Sequence, residues 1–385
     1  MLRELRRLLV AALALSAVTP GCGAKTGLLV PDVLDEAPMD AADVIDVPDV
    51  PDVPDVIDRP PVCQPGHFTL VARAADLILV VDRSGSMNQN LGGGRGGASK
   101  WQLLRNALAV TLPRYQDRIN VGALFYPETD TTSREASCAL ANIPSLDIVP
   151  AVGTASAVLG TFDTTGPGGA TPTAAALQRA YSYIVRTPNR ARARYIAVAT
   201  DGAPNCNAGL DTATCRCTGG GGGRCRAGSA INCLDDTRTV SLITQIANNP
   251  IQQVPVFVIG IADDSDPTFA STLRAMALAG GRPYRDAAGN PGYYDVRQPD
   301  DLTIAFNTIQ NSIARCTFVT PSRPPTDDGI SITFNGATIP HDTTRINGWD
   351  WTDRAFGEIT LFGAACPAET SPNATVQATV ECPDA

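Results

Sequence analysis

The side chains best suited to chemistry in this chain are hydroxyls and carboxylates that stand in three separate segments. Asp82, Ser84 and Ser86 directly follow an apolar run. Thr171 precedes a helical pattern, and Asp201 follows a second apolar run. Together they form an oxygen-only set of ligands, which suits Mg²⁺, Mn²⁺ or Ca²⁺ better than zinc. The sequence therefore predicts a hard divalent-cation site, provided that the fold brings the three segments together.

The segments around these residues alternate apolar strands with helical patterns. Strand-like runs lie at 77–81, 119–125, 146–152, 195–199, 254–261 and 293–296, the third of them a candidate edge strand. Helical spacing predicts helices over 100–112, 172–185, 237–247, 267–279 and 300–314. This alternation predicts an α/β fold with a doubly wound, mostly parallel sheet and helices on both faces. Loops beyond the carboxyl ends of such strands form a ligand crevice, which would bring the three segments together.

The same residues resemble the von Willebrand factor A (VWA) domain family with its metal ion-dependent adhesion site. That family's motif is Asp-x-Ser-x-Ser, then a Thr and then an Asp, which is matched in order by Asp82, Ser84, Ser86, Thr171 and Asp201. The resemblance covers roughly residues 68–316, and the run LVVDRSGSM at 79–87 is close to the family's typical form. Thr173 is the alternative for the threonine; Thr171 is preferred because it lies at the helix cap beside two glycines.

The resemblance implies how such a site would work. In the family, the two serines and the threonine usually contact the metal, and the two aspartates act mainly through water. A cation whose direct ligands are neutral keeps much of its charge, so it favours a carboxylate supplied from outside. The resemblance therefore implies capture of a protein ligand that offers an acidic residue to Mg²⁺, or alternatively to Mn²⁺ or Ca²⁺.

Other classes of function stay open at this point. The cation could activate water in a hydrolase, the site could be unused in a structural envelope protein, or Asp82 could be an ordinary strand-end residue with serine caps. A Ser–His–Asp triad would require His67 or His341, the only two histidines, so no catalytic residue is predicted. The net charge of −9 argues against a nucleic-acid partner, because phosphate binding requires clustered Lys and Arg.

Residues 1–21 have the pattern of a signal peptide. An arginine-rich start precedes an apolar run over 8–18 that is too short for a permanent membrane span. Cys22 then stands where a bacterial lipoprotein signal has its lipidated cysteine, although the residues at 19–20 depart from the usual pattern. We expect export and a lipid anchor at Cys22 in the cell envelope, at the outer membrane or cell surface, with the lipid as the membrane attachment. Ordinary secretion is the alternative.

Residues 22–61 form an acidic tether rich in Pro, Asp and Val. The stretch 31–61 contains seven Pro, ten acidic residues and no aromatic residue, so it cannot bury enough apolar surface to offset its ordering entropy. Aspartates recur every three residues from Asp40 to Asp58, which would place them along one edge of a polyproline II helix. We expect a self-repelling spacer, with a weak cation-binding ladder as the alternative.

The chain changes character after the predicted VWA domain at 62–316. Residues 317–385 contain strand-like runs at 330–334, 358–362 and 375–380, turn signals at Asn335-Gly336 and Asn347-Gly348, and no helical pattern. The sequence therefore predicts a small all-β module at the C-terminus.

The cysteines beyond Cys22 are even in number, as a disulfide framework in an oxidising compartment requires. They are Cys63, Cys138, Cys206, Cys215, Cys217, Cys225, Cys233, Cys316, Cys366 and Cys382. In the VWA family, which the sequence resembles, the domain has its chain ends close together, and this implies a Cys63–Cys316 bond. Cys366 and Cys382 flank the last predicted hairpin, and we expect them to pair with each other.

The six central cysteines allow many connectivities, and the sequence does not choose among them. Because Cys206 follows Asp201 by five residues, at least one bond should hold the rim of the metal site. A zinc knuckle in this cluster is the disfavoured alternative, since no His joins it and the spacing is not a paired CxxC.

Overall fold

The structure is a computed structural model that describes residues 63–383 apart from short segments. The segments left out within that range are 73, 92–96, 117–118, 129–135, 144, 188–191, 219–224, 226–229, 250–251, 262–266, 287 and 367–374. The predicted signal peptide, the lipidation site at Cys22 and the acidic tether lie outside the described residues. Within the described part of the chain, no helix is long and apolar enough to cross a membrane.

A six-stranded sheet forms the centre of an α/β body that spans residues 75–316. In spatial order its strands are β4 (Ile148–Ala151), β3 (Ile119–Tyr126), β2 (Ala75–Asp82), β5 (Ala193–Thr200), β6 (Val256–Gly260) and β9 (Tyr294–Asp295). All neighbouring strands pair in parallel except β3 and β4, where the edge strand β4 runs antiparallel. The mostly parallel sheet predicted from the sequence is confirmed.

Helices cover both faces of this sheet. They are α1 (Lys100–Thr111), α2 (Ala155–Thr164), α3 (Thr173–Arg186), α4 (Asp236–Ala247), α5 (Pro267–Ala279) and α6 (Pro299–Cys316). Leu77, Leu79 and Val81 of β2 pack in one core with α1, α2 and α6, whereas Ile78 and Val80 pack in a second core with α3, α4 and α5. Since successive side chains of a strand point to opposite faces, a strand covered on both sides must be apolar at every one of these positions.

The sequence patterns do not predict helix α2. Three of its apolar side chains are buried, among them Val158 and Phe162, and Gly160 interrupts the helical pattern. Its position is fixed by tertiary contacts instead: the ring centroids of Phe162 and Trp101 are 4.2 Å apart, and Trp101 Nε1 donates to the Phe162 carbonyl at 3.4 Å. Local propensity is a weak guide where packing of this kind decides.

A second sheet of seven strands forms a β module. In spatial order its strands are β12 (Ala337–Ile339), β11 (Ile330–Phe334), β15 (Val376–Val380), β1 (Gly66–Ala72), β10 (Thr317–Val319), β14 (Glu358–Phe362) and β13 (Gly348–Asp353). A separate two-stranded hairpin joins β7 (Tyr284–Arg285) to β8 (Pro291–Gly292). Strand β1 lies in the middle of the seven, so the β module takes its central strand from residues that precede the α/β body.

This pairing of β1 corrects the predicted start of the body at residue 62. The body begins at Ala75, and β1 pairs with β15 over Gly66–Leu70 and with β10 at Val71 and Ala72. The sequence patterns do not predict β1, and a strand's own sequence carries no mark of its partner.

The hairpin of β11 and β12 turns at Asn335-Gly336, as the sequence predicts. Phe334 pairs with Ala337 across the turn, and φ is +49° at Asn335 and +83° at Gly336. Both values lie in the left-handed region that two-residue hairpin turns require and that Asn and Gly tolerate. The predicted turn is confirmed.

The disulfides that tie the β module differ from the predicted pairing. Cys63 bonds to Cys382 and Cys316 bonds to Cys366, so the predicted Cys63–Cys316 and Cys366–Cys382 bonds are wrong. The reason is strand β1: it places Cys63 at its outer end, where Gly66 pairs with Val380 two residues before Cys382. Cys316 ends α6 beside β14, because β10 follows it directly and pairs with that strand.

The β module joins the body at the amino end of the parallel sheet. Strand β1 leads into the start of β2, and α6 leads directly into β10. Near the start of β5, the Tyr195 hydroxyl donates to Thr317 Oγ1 at 3.2 Å and to Glu358 Oε1 at 3.3 Å. The carboxyl end of the sheet, where Asp82 and Asp201 lie, is therefore the end away from this joint.

Candidate functional site

The candidate site begins where β2 and β5 end side by side. The carboxylate of Asp82, the last residue of β2, is completely buried. Its Oδ1 accepts the Ser84 backbone N–H at 2.7 Å, and its Oδ2 accepts the Thr200 hydroxyl at 2.5 Å. Thr200 is the last residue of β5 and directly precedes Asp201. The pairing of β2 with β5 thus brings two of the three predicted segments together.

The two serines connect these carboxylates. Ser84 Oγ and Ser86 Oγ are 3.0 Å apart, and Ser86 Oγ donates to Asp201 Oδ1 at 2.8 Å. Ser84 is buried and Ser86 is half-buried, with the exposed Gly85 between them. The hydroxyls therefore lie at a boundary between the protein interior and solvent.

The loop that carries Thr171 is bonded to the serine loop through backbone groups. Gly85 N–H donates to the Gly169 carbonyl at 3.1 Å, and Gly168 N–H donates to the Arg83 carbonyl at 2.7 Å. In the described part of the chain, no hydrogen bond joins the Thr171 hydroxyl to the other four predicted ligands. The structure thus places Thr171 on the adjacent loop rather than inside the hydrogen-bonded cluster.

The alternative threonine, Thr173, is turned to the interior. It is completely buried, and its hydroxyl lies 3.3 Å from the Tyr126 hydroxyl and 3.5 Å from the Thr171 carbonyl oxygen. Its hydrogen-bonding capacity is therefore used within the protein. This arrangement favours Thr171 over Thr173 as the residue that faces a ligand.

Three residues that the sequence analysis did not single out hold the site. Thr200 binds Asp82, and Asn205 binds Thr171 at both backbone groups: its Oδ1 accepts the Thr171 N–H at 2.8 Å and its own N–H donates to the Thr171 carbonyl at 2.9 Å. Lys100, the first residue of α1, donates from Nζ to Asp201 Oδ2 at 2.8 Å while both side chains are buried. The motif spacing gave no signal for Lys100, because lysines are rarely buried.

Burial changes the acidity of Asp82 and of the neighbouring Tyr126. Burial, together with the neighbouring charge of Asp201, raises the pKa of Asp82 from 3.8 to about 7. Burial, together with the charge of Asp82, also raises the pKa of Tyr126 well above its usual value. Asp82 is thus a carboxylate whose bonded partners, a hydroxyl and a backbone N–H, carry no charge.

The residues present fit a hard divalent cation. Their donors are all oxygens, and Asp82 is completely buried with no cationic partner bonded to it among the residues that the structure describes. Buried carboxylates of this kind are commonly paired or bound to a metal. Ser84, Ser86 and Thr171 could contact such a cation, with Asp82 and Asp201 around it.

Three disulfides lie in or near the loop that follows Asp201. Cys138 bonds to Cys206, Cys215 to Cys233, and Cys217 to Cys225. The first of them joins two segments that touch the threonine loop, since Ala170 N–H donates to the Ser137 carbonyl at 2.9 Å and Asn205 binds Thr171. The Sγ atoms of Cys215, Cys225 and Cys233 lie within 4.8 Å of one another, but in disulfides they are not available as zinc ligands.

The two histidines both lie in the β module. His67 Nδ1 is 2.9 Å from Thr379 Oγ1, and His341 Nε2 is 3.2 Å from Asp350 Oδ1. Neither of these contacts involves a residue of the candidate site.

Comparisons with known proteins give structural similarities at low identity. No known protein family and no curated protein matches the sequence. The chain is similar to the PilB minor pilin from Streptococcus sanguinis, with 16% identity and a TM-score of 0.44 over 63% of this chain and 62% of that chain. The pilus adhesin SpaC from Lactobacillus rhamnosus GG has 16% identity and a TM-score of 0.43, over 80% of this chain and 40% of that chain. The vWF domain of the type V pili tip protein Mfa5 from Porphyromonas gingivalis has 13% identity and a TM-score of 0.38, over 63% of this chain and 96% of that chain.

This chain therefore spans less than two thirds of the pilin and less than half of the pilus adhesin. At these identities the function has to be inferred from the residues of the site itself.

Proposed function

We propose that the protein is a VWA-type adhesion protein of the cell envelope that captures a protein ligand through a divalent cation, Mg²⁺ in the first instance. The observation that carries the proposal is the hydrogen-bonded cluster of Asp82, Ser84, Ser86 and Asp201 at the carboxyl ends of two neighbouring parallel strands. Ligand sites of open α/β sheets lie at this edge.

The chemistry of the cluster favours binding of an acidic group. A bound cation would supply a concentrated positive charge at the half-buried Ser86. Since the hydroxyls of Ser84, Ser86 and Thr171 are neutral, they would leave much of that charge for a carboxylate from the partner. Asp82 and Asp201 would hold the cation without neutralising it by direct contact.

The test is capture of a ligand from a native envelope extract by the immobilised protein, in Mg²⁺ and in chelator. We expect capture in Mg²⁺ that is lost in chelator and lost again in the double variant S84A/S86A. The exposed Ser271, which donates only within its own helix at 2.7 Å, provides the matched control S271A. Equal capture in chelator and in Mg²⁺ would contradict the proposal.

The choice between the two threonines has its own experiment. The variant T171V should lose Mg²⁺-dependent capture because it removes the hydroxyl on the loop beside the serines. The variant T173V should retain capture, although it loses the 3.3 Å contact with Tyr126 and some stability. The opposite result would assign the ligand role to Thr173.

The proposal includes export through residues 1–21, a lipid anchor at Cys22 and the acidic tether at 22–61 as a spacer. The variant C22S should release the protein into the soluble fraction. A wild-type protein that is already soluble would favour ordinary secretion.

A further inference from the structure

A buried lysine faces the candidate metal site. Lys100 is 2% exposed, and its ammonium lies 2.8 Å from Asp201 Oδ2. It occupies the first position of α1, behind Ser99, whose side chain forms a capping box with Gln102. The helix start therefore fixes Lys100 in place. Burying a charged side chain is costly unless it is paired, so the ion pair is a specific feature of this site.

Asp201 links this ammonium to the serine hydroxyls. Its Oδ2 accepts Lys100 Nζ, and its Oδ1 accepts the Ser86 hydroxyl at 2.8 Å. A divalent cation that contacts Ser86 would therefore share one carboxylate with an ammonium on its other oxygen. Two like charges this close in a partly buried environment repel each other.

Lys100 is distinct from the other buried cation near the site. Arg83 is 8% exposed and stands between Asp82 and Ser84 in the chain. Among the described residues, no guanidinium is hydrogen-bonded to Asp82 or Asp201, whereas Lys100 is bonded directly to Asp201. The charge balance of the cluster is thus two carboxylates against one contacting ammonium.

We propose that Lys100 is an internal cation that satisfies Asp201 in the metal-free protein and thereby weakens divalent-cation binding at Ser84, Ser86 and Thr171. This inference rests on the proposed function in that it assumes a cation site at these hydroxyls. Lys100 acts as a positioning residue: it holds the Asp201 side chain and the α1 start together whether or not a metal is present. The site can then stay assembled between binding events.

The experiment measures Mn²⁺ affinity by calorimetric titration and thermal unfolding with and without chelator, in the full chain. The variants are K100M, which keeps the side-chain length without charge, and K100Q, which can still donate to Asp201. We expect both to bind Mn²⁺ at least about tenfold more tightly than wild type, because a repulsive unit charge is gone. We also expect both variants to have a lower melting temperature than wild type in chelator, and a larger rise in melting temperature when Mn²⁺ is added.

The matched control is R105M on the same helix. Arg105 is partly exposed and pairs with Asp163 at 3.0 Å, so R105M also removes one positive charge but leaves the site unchanged. Its Mn²⁺ affinity should equal that of wild type. Should K100M fail to fold in chelator, recovery of its folding by Mn²⁺ would support the inference, and K100Q would still give the affinity.

The possible outcomes separate the two proposals. Wild type and both Lys100 variants binding Mn²⁺ equally would overturn the inference about Lys100 and leave the metal site standing. Binding by the variants alone would support the inference, with the ammonium standing in for the metal, and would overturn Mg²⁺-dependent capture by the native chain. No binding by any of them would overturn both.

Discussion

The two ends of the six-stranded sheet both carry buried polar groups, and they differ in what satisfies those groups. At the carboxyl end, Asp82 and Asp201 face hydroxyls and one ammonium at the edge of solvent. At the amino end, Tyr195 and Glu358 meet inside the joint with the β module, where strands of the module supply the partners.

At the amino end of the sheet, residues of the β module cover the buried polar groups. Glu358 Oε1 accepts the Thr352 hydroxyl at 2.9 Å as well as that of Tyr195. Arg282 is buried above the rings of Tyr195 and Phe362, and its Nη2 donates to Thr360 Oγ1 at 3.0 Å. Burial lowers the pKa of this guanidinium.

The difference between the two ends distinguishes a contact between the body and the β module from a binding site. Polar residues are buried at both ends, so burial alone does not distinguish them. At the amino end the donors and acceptors come from the β module and exclude solvent. At the carboxyl end the serine loop reaches solvent at the exposed Gly85 and the half-buried Ser86, where a ligand could complete the set.

The largest expected effect is at the carboxyl end. Under the proposed function, the variant D82N should abolish Mg²⁺-dependent ligand capture, because it removes one of the two carboxylates that would hold the cation. Its melting temperature in chelator should not fall, since the amide is nearly isosteric and the buried charge of Asp82, which has no bonded cation, is removed. Capture by D82N at the wild-type level, measured in the same pull-down, would place the binding site elsewhere.

The second prediction concerns the joint at the amino end. The variant E358A should lower the free energy of unfolding by about 3 kcal/mol, because it removes a buried acceptor from the hydroxyls of Tyr195 and Thr352 and leaves a buried guanidinium without its nearby counter-charge. Denaturant unfolding measures the loss, and E381A, at an exposed glutamate of the same module, is the control. Mn²⁺ affinity should be unchanged in both, and a fall in E358A would show that the two ends are coupled.

Two of the disulfides should differ in their effect on metal binding. The double variants C63S/C382S and C138S/C206S should each lower the melting temperature, with a loss on the order of 2–4 kcal/mol. Only C138S/C206S should also weaken Mn²⁺ binding several-fold, because this bond joins the two segments that hold the loop of Thr171. An equal loss of metal affinity in C63S/C382S would contradict the expectation that this bond, at the outer end of β1, stabilises the β module alone.

The two ends also differ in how far the sequence predicts them. Asp82 and Asp201 could be placed because each directly follows the apolar run of its own strand, and parallel strands end at one edge. The partners of β1 could not be placed, because strand pairing is decided by residues hundreds of positions away: Gly66 pairs with Val380. The wrong Cys63–Cys316 and Cys366–Cys382 predictions followed from not knowing that β1 pairs with β15.

Lys100 shows a second limit. Its distance from Asp201 depends on how α1 docks on the sheet, where Trp101 and Leu104 are buried. A lysine at a helix start is ordinarily solvated, so its residue type predicts exposure. Contacts of this kind follow from packing and not from motif spacing, which is why the sequence predicted ligand types but not the charge balance of the site.

The smallest expected effect lies in the β module, in the loop before β13. The Asp342 carboxylate accepts hydrogen bonds from Thr344, Ile346 and Asn347, at 2.9 Å, 2.9 Å and 2.8 Å from their backbone N–H groups. The hydrogen bond from the Thr344 hydroxyl, with these backbone bonds, lowers the pKa of Asp342 from 3.8 to about 2. Because the folded-state pKa is below the unfolded one, the stabilisation is present above about pH 4 and is lost as pH falls towards 2.

The variant D342N should therefore lose stability at neutral pH and show a weaker dependence on pH between 4 and 2 than wild type. The carboxylate is solvent-exposed, so screening keeps the loss at neutral pH below about 1 kcal/mol. Denaturant unfolding at several pH values measures both effects. Mn²⁺ affinity at neutral pH should be unaffected, because the loop belongs to the β module and the hydrogen bonds of the Asp342 carboxylate stay within that loop. A loss of affinity in D342N would show that the β module also shapes the proposed metal site.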